Sequence, residues 1–170
     1  LKNKDGKLFN ILSSKIGGKF YSIHAGFLID PSVKSLGKKI KEKLKIIPRE
    51  VARKNFVNSM KELSLFAKKY KVKLLIENNV LTKKNYSRFK GNPFLFVDYA
   101  EVNNIMPLLP KNVGLLLDVG HLNVSSRTLK FDRVRFIKET NKWINGYQLS
   151  ENNGIDDQNR KVKLKSWFFK

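Results

Sequence analysis

Val113-Gly114-Leu115-Leu116-Leu117-Asp118-Val119-Gly120-His121 is the stretch on which the reading of this chain turns. Five residues without charge run straight into an acid. A short, unbroken apolar run fits a strand covered on both faces, as in a parallel sheet, better than the alternating pattern of a half-exposed strand. An acid at the end of such a strand is costly unless a cation or hydrogen bonds neutralise it. Asp118 therefore enters as a candidate functional residue at the carboxyl end of a buried strand.

The same pattern recurs upstream in Val72-Lys73-Leu74-Leu75-Ile76-Glu77, which also ends in an acid. Two weaker segments, Phe20-Tyr21-Ser22-Ile23-His24 and Asn145-Gly146-Tyr147-Gln148-Leu149, complete a set of four expected strands. Between the first two lies a helical stretch, Pro48 to Lys71, where Val51, Phe56, Met60, Leu63, Phe66 and Ala67 recur at helical spacing. A second helix is expected from Tyr99 to Leu109, stopping at Pro110. A third runs from about Asp132 to Trp143, with Val134, Ile137 and Trp143 as its inward stripe. Strand and helix alternate, which implies right-handed crossovers and a parallel sheet. No repeat, linker or domain boundary interrupts residues 1–170, so one domain is expected. The strand-end polar residues His24, Glu77, Asp118 and Gln148 stand 53, 41 and 30 residues apart, compatible with a barrel carrying loop insertions. Four units make half of an eight-stranded barrel, and a small doubly wound fold stays open at this point. No Gly-x-Gly-x-x-Gly follows a strand, which weighs against dinucleotide binding.

Composition narrows the class. There is no cysteine, which excludes disulfides and thiolate metal sites. No apolar run spans a bilayer, and no signal-like core follows the first residues, so a cytoplasmic protein without membrane contact is the expectation. The formal charge of +21 invites a polyanion. Yet 28 of the basic residues are Lys and 7 are Arg, whereas dedicated phosphate readers favour arginine's planar fork. Asparagine is also abundant at 17 residues, and Lys and Asn share A-rich codons, so biased composition accounts for the charge. The densest cluster, Lys34 to Lys45, has the look of a solvated helix face.

At the carboxyl edge of a parallel α/β sheet, side chains converge on ligands. Two carboxylates beside neutral nitrogen and oxygen donors suit a divalent cation such as Mn, Mg, Co or Zn. Each candidate has a plainer alternative. Glu77 and Asp118 could cap the following helix or pair with lysine. His24 could be a satisfied core histidine, His121 could bond a loop, and Glu151 and Asp157 could be solvated.

Leu74-Leu75-Ile76-Glu77-Asn78-Asn79, Gly114-Leu115-Leu116-Leu117-Asp118-Val119-Gly120-His121 and Gln148-Leu149-Ser150-Glu151-Asn152-Asn153-Gly154, in this order, resemble the sugar phosphate isomerase/epimerase family. That family belongs to the xylose isomerase-like TIM-barrel superfamily, which also holds the metal-dependent apurinic-site endonucleases. Ser22-Ile23-His24-Ala25-Gly26 is similar to its earlier strand-end His-x-Gly. Gly154 to Asn159, followed by Ser166-Trp167-Phe168-Phe169, is similar to the loop after its seventh strand. The resemblance implies a partial (β/α)8 TIM barrel, strands four to seven, with the first three strands and the last outside the 170 residues.

It further implies Glu77 and Asp118 as metal ligands, with Gln148 as a third where the family has His. Glu77 would double as an acid/base carboxylate moving a proton next to a sugar carbonyl that the metal polarises. His24 and His121 would bind substrate, or a second metal in the endonuclease branch, and Glu151 and Asn159 are further candidate substrate contacts. Asn159 stands where many members have His. The expected function is a divalent-metal-dependent isomerase or epimerase acting on a sugar or sugar phosphate, in a chain compatible with a homo-oligomer. The alternatives are an apurinic-site endonuclease, which would make nucleic acid the partner, and a non-catalytic remnant or binding module. Trp167, Phe168 and Phe169 are expected to pack rather than to stack on a base.

Overall fold

Alternation of buried strands with amphipathic helices produces a parallel sheet flanked by helices. The computed structural model describes residues 3–30 and 44–169. The basic cluster expected as a helix face lies outside these residues, apart from Leu44 and Lys45. In chain order the elements are α1 (Asn3–Lys15), β1 (Phe20–His24), α2 (Arg49–Lys69), β2 (Lys73–Glu77), α3 (Lys83–Arg88) and α4 (Tyr99–Ile105), then β3 (Val113–Asp118), α5 (Val119–Leu129), α6 (Arg133–Thr140) and β4 (Ile144–Gln148). Short 3₁₀ turns follow α4 and α6 and close the described chain at Trp167–Phe169.

The described strands form one sheet in the order β1-β2-β3-β4, every pair parallel. This is the expected architecture, a partial α/β barrel. Register decides which side chains share a face. Tyr21 and Ile23 of β1, Leu74 and Ile76 of β2, and Leu115 and Leu117 of β3 point to one side, where Phe56, Met60 and Leu63 of α2 and Val102 and Ile105 of α4 join them in the main core. Ser22, His24, Leu75, Glu77, Leu116, Asp118, Gly146 and Gln148 occupy the other side. All four strand-end polar residues thus lie on the face away from the main core. A slip of one residue in any strand would turn its member into that core.

Helix α2 follows Pro48, whose fixed φ suits a helix start, and its buried residues Ala52, Phe56, Met60, Leu63 and Ala67 keep helical spacing. Val51, expected inward, is 46% exposed. Along α6 and the turn after it, Ile137 and Trp143 pack against the main core as expected, joined by the fully buried Phe136, while Val134 is 52% exposed. Val134 lies in the first turn, where Asp132 caps the helix by accepting from the Val134 and Arg135 amides. The second expected helix ends at Ile105 rather than Leu109, since Pro107 lacks the N–H to continue an α-helical ladder and a 3₁₀ turn takes over. Helices α1, α3 and α5 had no counterpart in the sequence reading. Trp167 and Phe168 pack against the main core as expected, whereas Phe169 is half exposed.

One polar cluster braces this frame. Glu101 of α4 is 3% exposed and accepts from Arg49 at 2.7 Å, Arg53 at 3.2 Å and the Phe96 amide at 3.0 Å. Arg49 also donates to the Phe94 carbonyl at 3.2 Å. A carboxylate this buried needs such partners. The cluster ties α2, α4 and the segment before α4 together.

Candidate active site at the carboxyl edge of the sheet

Asp118 ends β3 and begins α5. Its Oδ1 accepts from the His121 amide at 2.9 Å, the bond of an N-cap, so the capping alternative holds for one of its oxygens. The other, Oδ2, is buried without a hydrogen-bond partner among the described residues. Starting the helix here turns His121 back over the sheet. Its Nδ1 lies 2.8 Å from the Asn78 carbonyl and 3.5 Å from Glu77 Oε1, while its Nε2 lies 3.8 Å from Asp118 Oδ2 and 3.3 Å from Asp157 Oδ2. A carbonyl only accepts, so Nδ1 carries a proton and Nε2 is the nitrogen left to face the carboxylates. His24 stacks on His121 with centroids 5.7 Å apart, and its Nδ1 stands 3.9 Å from Glu77 Oε1.

The asparagines after Glu77 are fasteners. Asn78 donates to the Asp118 carbonyl at 3.1 Å and accepts from the Asp118 amide at 2.7 Å, joining the ends of β2 and β3. Asn79 donates to the carbonyls of Ala25, Gly26 and Leu95. Gly120 permits a close approach, because a Cβ there would stand 2.3 Å from Ser150 Oγ and 3.1 Å from Asp118 Oδ1.

Electrostatics follow from burial and crowding. Burial raises the Glu77 pKa, opposed by His121 and helped by Asp118 and Asp157. Burial lowers that of His24, with His121 adding to the effect and Asp118 and Asp157 opposing it. Burial also pushes His121 down, but the hydrogen bond to Asp157, the charge of Asp118 and the Asn78 carbonyl outweigh it and carry its pKa up to about 9. The same bond holds Asp157 below its usual value.

Ligand atoms of His24, Glu77 and His121 all lie within 4.8 Å of one another. This donor set, with the unpaired Asp118 Oδ2 beside it, fits a divalent cation. The His121 Nδ1–H on the Asn78 carbonyl is the outer support that orients a ligating imidazole. Gln148 sits opposite Asp118 in the β3–β4 register, on the same face and exposed. Glu151 and Asn159 lie further out: Glu151 forms a backbone bridge with Arg160, and Asn159 is exposed at φ 46°. Asp157 is the residue the sequence reading set aside as solvated. Its place in a polar loop gave no sign that the loop folds back onto His121.

No protein-family model matches the sequence, and neither does any curated protein. Solved structures do match. A D-tagatose 3-epimerase-like protein is 16% identical with a TM-score of 0.64, over 90% of this chain and 49% of its own. L-ribulose 3-epimerase is 13% identical with a TM-score of 0.59, over 88% of this chain and 42% of its own. An AP endonuclease, family 2, from Brucella melitensis is 14% identical with a TM-score of 0.59, over 99% of this chain and 56% of its own. The chain spans about half the length of the structures it matches. The likeness is one of fold: the four parallel strands and their flanking helices match part of an α/β barrel.

Proposed function

We propose that this chain forms the metal-site part of a divalent-metal-dependent isomerase or epimerase acting on a sugar, sugar phosphate or related hydroxy-carbonyl compound. The observation that carries the proposal is the convergence of Glu77, His24 and His121 at one point of the sheet edge, beside a buried Asp118 oxygen without a hydrogen-bond partner among the described residues. Glu77 and Asp118 are the proposed carboxylate ligands, with Gln148 adding an amide oxygen from β4 and the imidazoles completing the set. A bound cation supplies Lewis-acid polarisation of a carbonyl and its neighbouring hydroxyl.

The protein's own groups do the rest. Glu77, with its pKa raised by burial, is a stronger base than an exposed carboxylate and is suited to accept and return a proton. His24 presents a half-exposed ring over the opening, where it can hydrogen-bond a substrate hydroxyl. The main core behind the strands keeps these side chains in place. A second reading, an endonuclease acting at abasic sites, is supported by the AP endonuclease that matches 99% of this chain. Against it, positions 148 and 159 carry amides rather than imidazoles.

The test is proton exchange. The protein, loaded with Mn²⁺, is incubated in D₂O with a panel of ketoses and ketose phosphates, and deuterium entering beside the carbonyl is followed by NMR. Incorporation that EDTA abolishes supports the isomerase reading. No incorporation with any member, together with metal-dependent nicking of abasic DNA, would establish the second reading in its place.

A further inference from the structure

The loop that carries Asp157 is anchored at a distance from the carboxylates. Asn152, 9% exposed, uses both ends of its amide. Its Nδ2 donates to the Gly120 carbonyl at 2.8 Å, and its Oδ1 accepts from the Gly154 amide at 2.9 Å and from Asn123 Nδ2 at 2.8 Å. Asn123 Oδ1 accepts in turn from Arg133 at 2.6 Å, and the Arg133 guanidinium lies 4.1 Å from the centroid of the Trp167 ring. Hydrogen bonds thus run without a break from α6 through α5 to the loop. Beyond the anchor, Asn153 Oδ1 accepts from the Ile155 and Asp156 amides at 2.9 and 3.0 Å, closing a turn. Gly154 has φ 72°, and a Cβ there would stand 2.4 Å from the Arg127 side chain, so the turn suits glycine at this position.

Asn152 is the buried anchor of the segment that leads to residues 155–157, where Asp157 Oδ2 stands 3.3 Å from His121 Nε2. Other ties hold the ends of the loop: Glu151 and Arg160 exchange backbone bonds at 2.9 and 2.7 Å, Arg127 donates to the Asn153 carbonyl at 3.2 Å, and the Asn153 amide donates to Gln158 at 3.2 Å. The contact of Lys84 with Asp156 at 3.2 Å is exposed and holds little. We propose that Asn123, Asn152 and Arg133 are positioning residues: their hydrogen-bond chain sets the Asp157 carboxylate against His121 and so fixes the direction in which His121 Nε2 points. Both amides are buried, and removing either leaves its partners unpaired. The catalytic consequence rests on the function proposed above; the structural claim does not.

The test reads the ring itself. The protein has 2 histidines, and one of them, His24, is exposed, so the ring N–H protons of His121 are separable by NMR in EDTA-treated, ¹⁵N-labelled protein. In Asn152→Ala and Asn123→Ala, exchange of the His121 Nε2–H with solvent is expected to accelerate at least about tenfold, on the scale of one lost hydrogen bond. Asp157→Ala gives the reference for complete loss, the Nδ1–H on the Asn78 carbonyl stays protected, and Lys84→Ala changes neither. Unchanged Nε2–H exchange in both asparagine variants overturns the proposal, as does equal loss at both ring nitrogens, which would mean general loosening. If Asn152→Ala does not fold, Arg133→Gln, at the outer end of the chain, decides on the same readout. Failure of the unmodified protein to bind Mn²⁺ would sink the functional reading while leaving this result untouched.

Discussion

Glu77 is 8% exposed and burial raises its pKa, so in the metal-free protein the ionised form of this carboxyl sits in an unfavourable place. A carboxyl whose folded-state pKa is raised costs stability above its unfolded pKa, and that cost fades as pH falls. Glu77→Gln should therefore melt no lower than the wild type at pH 7 without metal, with any gap closing toward acid. Deuterium exchange into substrate should fall by roughly 10²–10⁴, the worth of a general base. A lower melting temperature with exchange intact would give Glu77 a structural role. Asp118 separates cap from ligand, since Asn caps a helix as well as Asp does. Asp118→Asn should keep the melting temperature of the metal-free protein within about 1 kcal/mol of stability. It should also lose most of the Mn²⁺-induced rise, which for a single site at a hundred times Kd corresponds to about 2.7 kcal/mol. Differential scanning fluorimetry with and without Mn²⁺ checks both. Glu77 and Asp118 were legible because an acid after a run of Leu and Ile breaks a pattern. Asp157 was not, since an acid in a polar loop breaks none and its bond to His121 depends on a fold-back made by side chains thirty residues away.

Elements were legible in proportion to how much apolar surface they bury. Strands β2 and β3, apolar over most of their length, stand within one residue of where the sequence put them. Helix α2 kept its place because its buried residues repeat at helical spacing over 21 residues. Helix α5 was missed because it starts at the strand's last residue, with no intervening loop to signal a boundary, and its small polar residues Ser125 and Ser126 are buried. The Glu101 cluster escaped notice for a similar reason: its arginines come from a helix some fifty residues upstream, and no local spacing joins them. The cluster makes a prediction of its own. Glu101→Ala removes the shared acceptor of Arg49 and Arg53 and leaves the Phe96 amide unpaired, while Arg53 keeps Glu50 and Arg49 keeps the Asn92 and Phe94 carbonyls. Removing one partner of a fully buried pair costs about 3–5 kcal/mol, and because both guanidiniums keep about a quarter of their exposure a loss of roughly 2–4 kcal/mol is expected. Urea unfolding measures it. A change under about 0.5 kcal/mol, the range of an ordinary surface substitution, would remove the cluster from the account of what joins α2 to α4.

At the scale of the whole chain, two opposing features decide how residues 1–170 behave when isolated. Among the described residues β1 and β4 each have a neighbour on one side only, leaving rows of unpaired backbone groups. Large apolar side chains gather at both edges: Leu8, Phe9, Leu12, Ile16 and Phe20 are 44–75% exposed near β1, and Tyr147 and Leu149 are 54% and 48% exposed along β4. Each such side chain buried fully against a partner would contribute roughly 1.5–3 kcal/mol, so a few suffice to drive association. The net charge of +21 works the other way, since copies of a strongly cationic chain repel one another. Repulsion is screened by salt, with a Debye length near 30 Å at 0.01 M and about 3 Å at 1 M, while apolar attraction is not. Association of the isolated chain should therefore be salt-switched: monomeric in dilute buffer, self-associating as ionic strength rises through a few tenths molar. Added sulfate should act more strongly than chloride at equal ionic strength, because it also strengthens apolar burial. Light scattering across a salt series reads this directly, with dye binding reporting the exposed apolar surface. Association that weakens with salt would show that contacts between opposite charges hold the copies together, and a monomer at every ionic strength would show that these exposed edges do not drive association.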